Sequence, residues 1–240
     1  MTAPVRVCGA GVIAAGSGER LRAGASTLKP LVAVGGRTLV ERVLESIAET
    51  GARETVVIIN EASLAVREHV DARRWPFAID WIVETTPSSM HSFLRVVERL
   101  AAGGHPAPYL ISTVDTVAPP GAFARLAAEA GADADVTLAL TSAVDDEKPL
   151  LVEIDGSRVT ALGDGARGPY ATCGYYLVRP SVLREANAAR RDGLSALRLF
   201  LARILARGYR IDGIVSAESI DVDRPADVAA AERFLRRVAP

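Results

Sequence analysis

The alternation of apolar runs with amphipathic segments constrains the fold of this chain more than any other feature. The runs at 5–15, 54–59 and 109–114 are apolar without a helical stripe, which favours strands buried on both faces. Residues 39–48 instead carry apolar side chains at helical spacing, and Thr38 is placed to cap that helix. Strand, helix and strand joined by short links are typical of βαβ units, so we expect a parallel sheet.

The rest of the chain continues this pattern and then changes character. The further predicted strands are 78–83, 135–141, 150–154, 158–162, 173–178 and 211–215, and the further predicted helices are 88–100, 120–130, 181–189, 194–207 and the segment from 226 onwards. We expect Pro120 to begin its helix, because proline is favoured in the first helical turn. Asp155 and Gly156 separate two of the late strands and predict a hairpin. The sequence therefore predicts one domain over residues 1–240, an α/β, Rossmann-like three-layer α/β/α fold with a mixed, mostly parallel central sheet and a small antiparallel insertion.

Composition and charge exclude several classes of protein. The 240 residues have a formal net charge of −1, which argues against a chain that coats nucleic acid or an acidic membrane. Aromatic residues make up 5%, too few for the stacking platforms that bind single-stranded nucleic acid. The two cysteines lack metal-ligand spacing, and the N-terminal segment lacks a secretory pattern. We therefore expect a cytoplasmic protein with no nucleic acid or membrane partner.

Two glycine loops overlap in the stretch CGAGVIAAGSGERL at 8–21. Gly9, Gly11 and Ala14 fit the dinucleotide pattern G-x-G-x-x-G/A, but a helix starting there would include the next glycines, each of which costs about 1 kcal/mol relative to alanine. The acidic residue expected about 20 positions later is missing as well. We therefore predict that Gly9 and Gly11 lie inside a buried strand.

The second loop, residues 16–18, falls at the carboxyl end of the first predicted strand, where open α/β sheets bind ligands. Glycines at this place let backbone N–H groups approach phosphate oxygens. Arg20 adds a planar donor fork suited to phosphate, and Lys29 adds a compact positive charge. Because the Walker A pattern is absent, we expect a triphosphate site that is not a P-loop.

The same residues resemble the nucleotidyltransferases with a GT-A-like fold. Their opening pattern is roughly A-A-G-x-G-[ST]-R-[LM], then K-P-L and G-[GRK]-x-[PT]-[LM], and it is similar to AAGSGERL at 14–21, KPL at 29–31 and GGRTL at 35–39. Glu19 departs from the pattern, since a small residue or arginine is usual there. The superfamily includes sugar-1-phosphate nucleotidyltransferases, cytidylyltransferases and molybdenum-cofactor nucleotidyltransferases. The resemblance implies a site of catalytic Arg20 and Lys29, with Ala14, Ala15, Gly16, Ser17 and Gly18 binding the nucleotide.

Nucleotidyl transfer needs positive charge on the phosphates, which Mg²⁺ on one or two carboxylates usually supplies. Asp115 directly follows the apolar run 109–114, and by resemblance it is the family's first metal ligand. A cap on the next helix is the alternative role of Asp115, but its distance from Pro120 weakens that role.

The late segment SIDVDRPAD at 219–227 resembles the family's closing motif D-[IV]-[DG]-T-P-E-D-L. By this resemblance Asp221 is the expected second metal ligand, with Asp223 next and Glu218 as an upstream alternative. Asp221 and Asp223 should point to opposite faces if the segment is extended. We expect Asp227 to interact with the N-terminus of the last helix.

Four further positions complete the predicted site. In the family, the segment after the third strand contacts the base and ribose, which implies nucleotide contacts for Ser88 and Ser89, although a plain N-cap role is equally open. TCGYYLV at 172–178 resembles the strand that borders the acceptor, so Gly174 is an expected substrate contact. Lys148 is a candidate for the acceptor phosphate, with a solvated lysine as its ordinary role.

Together these features predict an Mg²⁺-dependent enzyme that transfers NMP from an NTP (CTP, UTP, GTP or dTTP) to a sugar-1-phosphate or alcohol phosphate and releases pyrophosphate. An inactive nucleotide-binding relative is one alternative, and nucleotide binding without Mg²⁺ dependence would favour it. A GT-A glycosyltransferase is another, but Asp115-Thr116-Val117 lacks the second aspartate of D-x-D. The base and the acceptor stay open, and we expect a monomer or small homo-oligomer.

Overall fold

The computed structural model describes residues 5–16, 18, 21, 27–142, 149–216 and 218–238. The strands in these residues are β1 (Gly9–Ala14), β2 (Ala33–Val34), β3 (Arg37–Thr38), β4 (Glu54–Ile59), β5 (Ala78–Val83), β6 (Tyr109–Thr113), β7 (Thr116–Val117), β8 (Val136–Thr141), β9 (Leu151–Asp155), β10 (Arg158–Leu162), β11 (Tyr170–Val178), β12 (Ile211–Val215) and β13 (Ile220–Asp221). The helices are α1 (Leu39–Ala48), α2 (Leu64–Asp71), α3 (Ser89–Ala102), α4 (Ala122–Glu129), α5 (Ala186–Arg191), α6 (Leu197–Ala206) and α7 (Pro225–Val238). Short 3₁₀ segments cover Lys29–Leu31, Glu61–Ser63 and Pro180–Glu185.

Nine of these strands form the central sheet, in the order β5-β4-β1-β6-β11-β8-β12-β10-β9. Strand β1 lies between β4 and β6 and is parallel to both, with Ile13 opposite Ile58 on one side and Thr113 on the other. Strand β11 is antiparallel to both β6 and β8, and the β9–β10 hairpin is the antiparallel insertion. The carboxyl ends of β1, β4 and β6 therefore meet at one edge, beside the first half of β11.

Helices cover both faces of this sheet. On one face α3 packs against α6, with the rings of Phe93 and Phe200 6.0 Å apart. On the other face α1 contacts α4, and Phe123 of α4 stacks on Tyr175 of β11 at 4.5 Å. Both faces bury large apolar side chains, which is the main driving force for such layers. The predicted three-layer fold with a mixed sheet is confirmed.

The first glycine pair belongs to β1, as its sequence context predicts. Gly9 and Gly11 are buried, and the strand continues through Ala14 without a helix starting there. A Cβ on Gly11 would lie 2.2 Å from Cγ1 of Val96 in α3. Glycine at position 11 therefore lets α3 pack closely on the strand, and the match to the dinucleotide pattern is coincidental.

A third, smaller cluster brings the end of the chain to the candidate site. It buries Phe234 of α7 against Val34 of β2 and against Val222, which follows β13. The short strand β13 pairs with β7 antiparallel, placing Asp221 opposite Thr116. This cluster holds the closing segment beside the residues that follow β6.

Some predicted element boundaries are wrong for identifiable reasons. Pro120 does not begin α4, because Gly121 adopts a φ of 74° and the helix starts only at Ala122. The predicted helix 181–189 is divided into the 3₁₀ segment Pro180–Glu185 and α5. Helix α2 was not predicted, since within its eight residues Val66 and Val70 are the buried ones and such a short stripe gives little periodic signal.

Within the described residues, no helix combines the length and the apolar character that crossing a bilayer requires.

Candidate functional site

The centre of the candidate site is the ammonium group of Lys29. Its Nζ lies 2.6 Å from Oδ2 of Asp115 and 2.6 Å from Oδ1 of Asp223, and 12% of the lysine side chain is exposed. Lysine donates to both carboxylates, and three segments far apart in the chain meet at one atom. The structure thus brings together Lys29, Asp115 and Asp223, each of which the sequence marks as a site residue.

Backbone contacts hold the two carboxylates in place. The N–H of Val114 donates to the carbonyl of Ile13, so Asp115 leaves β6 directly beside the end of β1. The N–H of Val222 donates to the carbonyl of Asp115, which ties the closing segment to the same point.

Asp227 fixes the turn that carries Asp223. Its Oδ2 accepts the N–H of Asp223 at 3.0 Å and the N–H of Arg224 at 2.8 Å, just before α7 begins at Pro225. These N–H groups have no partner within the helix, and the carboxylate satisfies them. The predicted role of Asp227 at the N-terminus of the last helix is confirmed.

The ion pairs favour the charged forms of Lys29 and Asp115. Burial disfavours the ammonium of Lys29, but Asp115 and Asp223 outweigh burial and raise the pKa of Lys29 above its ordinary value. Burial likewise opposes ionisation of Asp115, yet the Lys29 charge and a hydrogen bond from Thr113 hold the pKa of Asp115 below its ordinary value. In this structure the Lys29 ammonium therefore lies between two carboxylate groups.

Asp221 occupies a different position from Asp223, in line with the predicted opposite faces. Oδ1 of Asp221 accepts a hydrogen bond from Oγ1 of Thr116 at 3.3 Å, and Thr116 also donates toward the carbonyl of Cys173. Thr113 lies 3.0 Å from Thr116, hydroxyl to hydroxyl. The structure therefore places Asp221 against the hydroxyl groups and Asp223 on the ammonium. Glu218 pairs with Arg237 of α7.

Gly174 leaves room for those hydroxyl groups. Its φ is 76°, and a Cβ there would lie 2.2 Å from Oγ1 of Thr116 and 2.9 Å from Oγ1 of Thr113. Any side chain at position 174 would be both strained and in collision with Thr116. The glycine is thus required by the protein itself, and its contact with an acceptor stays a prediction.

Cys173 lies next to this cluster as a neutral thiol. Burial raises the pKa of Cys173 to about 12, so the thiolate that acts as a nucleophile is scarce at neutral pH. A buried neutral thiol of this kind is a poor nucleophile.

The glycine loop follows β1, whose last residue is Ala14. Gly18 adopts a φ of 62°, and a Cβ on it would lie 2.7 Å from Cβ of Lys29, so glycine lets Lys29 pass behind the loop. A Cβ on Gly16 would have no described atom within 4 Å. Of the predicted residues here and in the acceptor region, Ser17, Arg20 and Lys148 lie outside the described residues, as does Glu19.

Ser88 and Ser89 lie at the start of α3, at the same edge of the sheet. Oγ of Ser88 is 2.9 Å from Nδ1 of His91, and it makes no capping hydrogen bond to the helix backbone. Oγ of Ser89 accepts the N–H of Leu197 at 3.0 Å and so caps α6 rather than α3. A nucleotide contact by either serine stays a prediction.

Sequence reasoning missed Asn60, Thr113 and Thr116. Asn60 directly follows β4 and is 8% exposed, and its amide contacts the backbone of the glycine loop. A polar residue at the carboxyl end of a buried strand was the available signal for Asn60 and Thr113, whereas Thr116 begins the short strand β7.

Known proteins resemble this chain over most of its length. The model of the MobA-like NTP transferase domain matches residues 10–200. A CMP-5'-(3-aminopropyl)phosphonate synthase from Streptomyces rubellomurinus is 30% identical over 213 residues, which are 86% of this chain and 32% of that protein. A bifunctional IPC transferase and DIPP synthase from Rubrobacter xylanophilus is 29% identical over 237 residues, 95% of this chain and 52% of that protein. The chain thus spans about a third of the first relative and about half of the second.

Solved structures show the same fold. The inositol-1-phosphate CTP transferase from T. maritima superposes with a TM-score of 0.78 at 18% identity, covering 97% of this chain and 99% of that one. At that identity the likeness concerns the fold. The family match covers well over half of the chain and includes both Lys29 and Asp115. This chain therefore belongs to the MobA-like NTP transferase domain family.

Proposed function

We propose that this protein transfers CMP from CTP to a small molecule that carries a phosphate or phosphonate group, with release of pyrophosphate. The observation that carries the proposal is the Lys29 ammonium, held between Asp115 and Asp223 beside Gly18 at the carboxyl ends of the central strands. The choice of CTP is supported by the names of similar proteins, which include a CMP-phosphonate synthase and a CTP transferase.

The reaction is a single displacement at the α-phosphorus. An oxygen of the acceptor phosphate or phosphonate attacks that phosphorus and forms a new P–O bond. The bond between the α-phosphorus and the oxygen bridging to the β-phosphate breaks, and pyrophosphate leaves with the electron pair. Because the attacking oxygen is already ionised near neutral pH, no general base is needed, and catalysis consists of positioning and charge stabilisation.

Lys29 supplies the charge that the leaving pyrophosphate needs. Its ammonium can turn from the carboxylates to phosphate oxygens when a nucleotide enters, because four rotatable bonds carry it and Gly18 leaves space beside its stem. Arg20, which follows the same loop in sequence, is assigned the same task on the triphosphate. Both residues act by electrostatic stabilisation of the charge that develops as the bond breaks.

The carboxylates fit a divalent cation. The Lys29 ammonium stands in for a cation between Asp115 and Asp223, and their hard oxygen atoms are the ligands that Mg²⁺ prefers. Among the described residues no three or more His, Cys, Asp or Glu side chains converge, so nucleotide phosphates would complete the shell around such an ion. When bound, Mg²⁺ would neutralise charge on the phosphates. We assign Asp115 and Asp223 as its ligands, with Asp221 as the alternative to Asp223.

We assign the acceptor phosphate or phosphonate to the region around Gly174. The resemblance of the strand 172–178 to the one that borders the acceptor supports this assignment, and the half-buried Thr113 lies beside Gly174. Lys148 is the second basic residue proposed for the acceptor.

A matrix of the four nucleotides CTP, UTP, GTP and dTTP against phosphate and phosphonate acceptors tests the proposal, with pyrophosphate release as the readout. We expect turnover with CTP and one acceptor class, lost in Asp115→Asn. Asp155→Asn, at an exposed hairpin, is the matched control and should keep wild-type turnover. Turnover of Asp115→Asn at the wild-type rate contradicts the assigned site, and absence of pyrophosphate release with every pair contradicts the proposed function.

A further inference from the structure

Asn60 contacts two carbonyl groups at the glycine loop through its amide nitrogen. Its Nδ2 donates to the carbonyl of Ala15 at 3.2 Å and to the carbonyl of Gly16 at 3.4 Å. Its Oδ1 accepts the hydroxyl of Ser63 at 2.8 Å. Because carbonyl oxygens only accept, the NH₂ group must be the side of the amide that faces the loop.

These contacts extend the β1–β4 ladder beyond its backbone end. The parallel pairing of the two strands stops at Ala14 opposite Ile59, and Asn60 is the next residue of its strand. Further backbone pairing would require β1 to stay extended, whereas the loop has to turn. The Asn60 side chain supplies donors to two successive carbonyl groups of the turning chain, and at 8% exposure it does so largely shielded from water.

The direction of these carbonyl groups decides where the loop can bind an anion. A peptide unit is planar and trans, so the N–H of Gly16 points away from Asn60 when the carbonyl of Ala15 points toward it. Gly16 has a φ outside the left-handed region, and a Cβ on it would have no described atom within 4 Å. Neither strain nor packing against a described atom explains glycine there, whereas close approach of a ligand to the backbone does.

We propose that Asn60 is the positioning residue of the nucleotide loop: it holds the carbonyl groups of Ala15 and Gly16 on one side and thereby presents the Gly16 N–H to the triphosphate on the other. The proposal rests on the proposed function for the identity of the ligand. It assigns Asn60 no contact with the nucleotide and no part in binding the acceptor.

Calorimetric titration with CTP, UTP, GTP and dTTP tests this role, since binding can be measured whether or not turnover occurs. Asn60→Ala removes both donors and should weaken binding of the preferred nucleotide about tenfold or more. Asn60→Asp keeps the size of the side chain but turns a carboxylate toward two carbonyl oxygens, so it should bind more weakly still. Ser63→Ala loosens the Asn60 amide and should give a smaller loss in the same direction.

Two comparisons separate positioning from general destabilisation. Thr85→Ala removes a hydrogen bond to Glu61 in the same turn without touching the loop, and it should leave nucleotide affinity unchanged. In the turnover assay, Asn60→Asp should raise KM for the nucleotide and leave KM for the acceptor within twofold of wild type.

The outcomes distinguish the two proposals. If the wild-type protein binds a nucleotide but releases no pyrophosphate, the proposed function is contradicted. The nucleotide affinities of the Asn60 variants then still test the positioning role. Folded Asn60→Asp with wild-type affinity overturns the positioning role, as does wild-type protein that binds none of the four nucleotides. If Asn60→Asp raises KM for the nucleotide and KM for the acceptor by the same factor, the positioning role is overturned as well.

Discussion

The ammonium of Lys29 and the carboxylate of Asp223 lie 2.6 Å apart although 194 residues separate them along the chain. Lys29 follows the opening glycine loop, and Asp223 belongs to the closing segment that Asp227 and Val222 hold in place. This contact closes the site, because it joins the first and last motifs of the sequence across the end of β6. It also places a positive charge where the proposed mechanism requires a cation.

Replacing Lys29 should therefore open the carboxylate pair to metal ions. In Lys29→Met the stem remains and the ammonium is lost, so Asp115 and Asp223 no longer share the Lys29 charge. We expect the free protein to bind Mn²⁺ at least tenfold more tightly than wild type, since the lysine no longer competes for the same oxygen atoms. The electron paramagnetic resonance signal of free Mn²⁺ measures this binding without nucleotide or turnover.

The double variant Lys29→Met with Asp223→Asn is the control for that measurement and should lose the gain. Equal Mn²⁺ affinity in wild type and Lys29→Met would mean that the two carboxylates do not form the cation site. Lys29→Met should also slow turnover by about 10²–10³-fold, the usual effect of removing one charge-stabilising group.

The two late aspartates should differ in their effect on catalysis. Asp223 shares the ammonium with Asp115, whereas Asp221 accepts a hydrogen bond from Thr116. We expect Asp223→Asn to lower kcat/KM at least tenfold more than Asp221→Asn does, because amide substitution costs a charged cation ligand more than it costs a hydrogen-bond acceptor. The Mg²⁺ concentration for half-maximal rate should rise in Asp223→Asn alone. A larger rise in Asp221→Asn would instead make Asp221 the second ligand.

The capping box of α1 should make stability depend on pH. The N–H of Thr38 donates to Glu41, and the N–H of Glu41 donates to Thr38, with Arg73 2.8 Å from the same carboxylate. Burial opposes ionisation of Glu41, but these partners outweigh it and hold the pKa of Glu41 below its ordinary value of 4.5. A carboxyl group whose pKa is lower in the folded than in the unfolded state stabilises the fold at pH values above its unfolded-state pKa. This stabilisation is lost as the pH falls through the folded-state pKa.

Glu41→Gln should therefore lower the free energy of unfolding by about 1 kcal/mol at pH 7, and the difference from wild type should shrink below pH 4.5. Urea unfolding at a series of pH values measures both numbers. A deficit that stays constant from pH 7 to pH 3 would show that the lost interaction does not depend on the Glu41 charge. Glu61→Gln, at an exposed turn, is the matched control.

The sequence predicted the parts of the site that lie at strand ends. The sheet edge followed from apolar runs ending in Gly16 and Asp115, and the resemblance added Lys29 and the closing aspartates. Among these residues, Lys29, Asp115 and Asp223 meet at the Lys29 ammonium. Local patterns carry this information because a parallel sheet aligns the carboxyl ends of its strands.

Other contacts could not be predicted, because they depend on distant packing. The preference for Asp221 over Asp223 came from motif resemblance, while the Lys29 contact of Asp223 depends on how β13 pairs with β7. The resemblance implies an acceptor contact for Gly174 but does not predict its packing against Thr113 and Thr116, some sixty residues earlier in the chain. Asn60 follows a buried strand but belongs to no motif, so its contact with the loop backbone appears only in the structure.

The most direct test of the central claim follows the α-phosphate of CTP. With CTP labelled at that phosphorus and an acceptor found in the nucleotide matrix, the account predicts that the label moves into a CMP-acceptor product in a one-to-one ratio with unlabelled pyrophosphate. Label that ends in free CMP, or a γ-phosphate that moves to the acceptor instead, would contradict nucleotidyl transfer at this site.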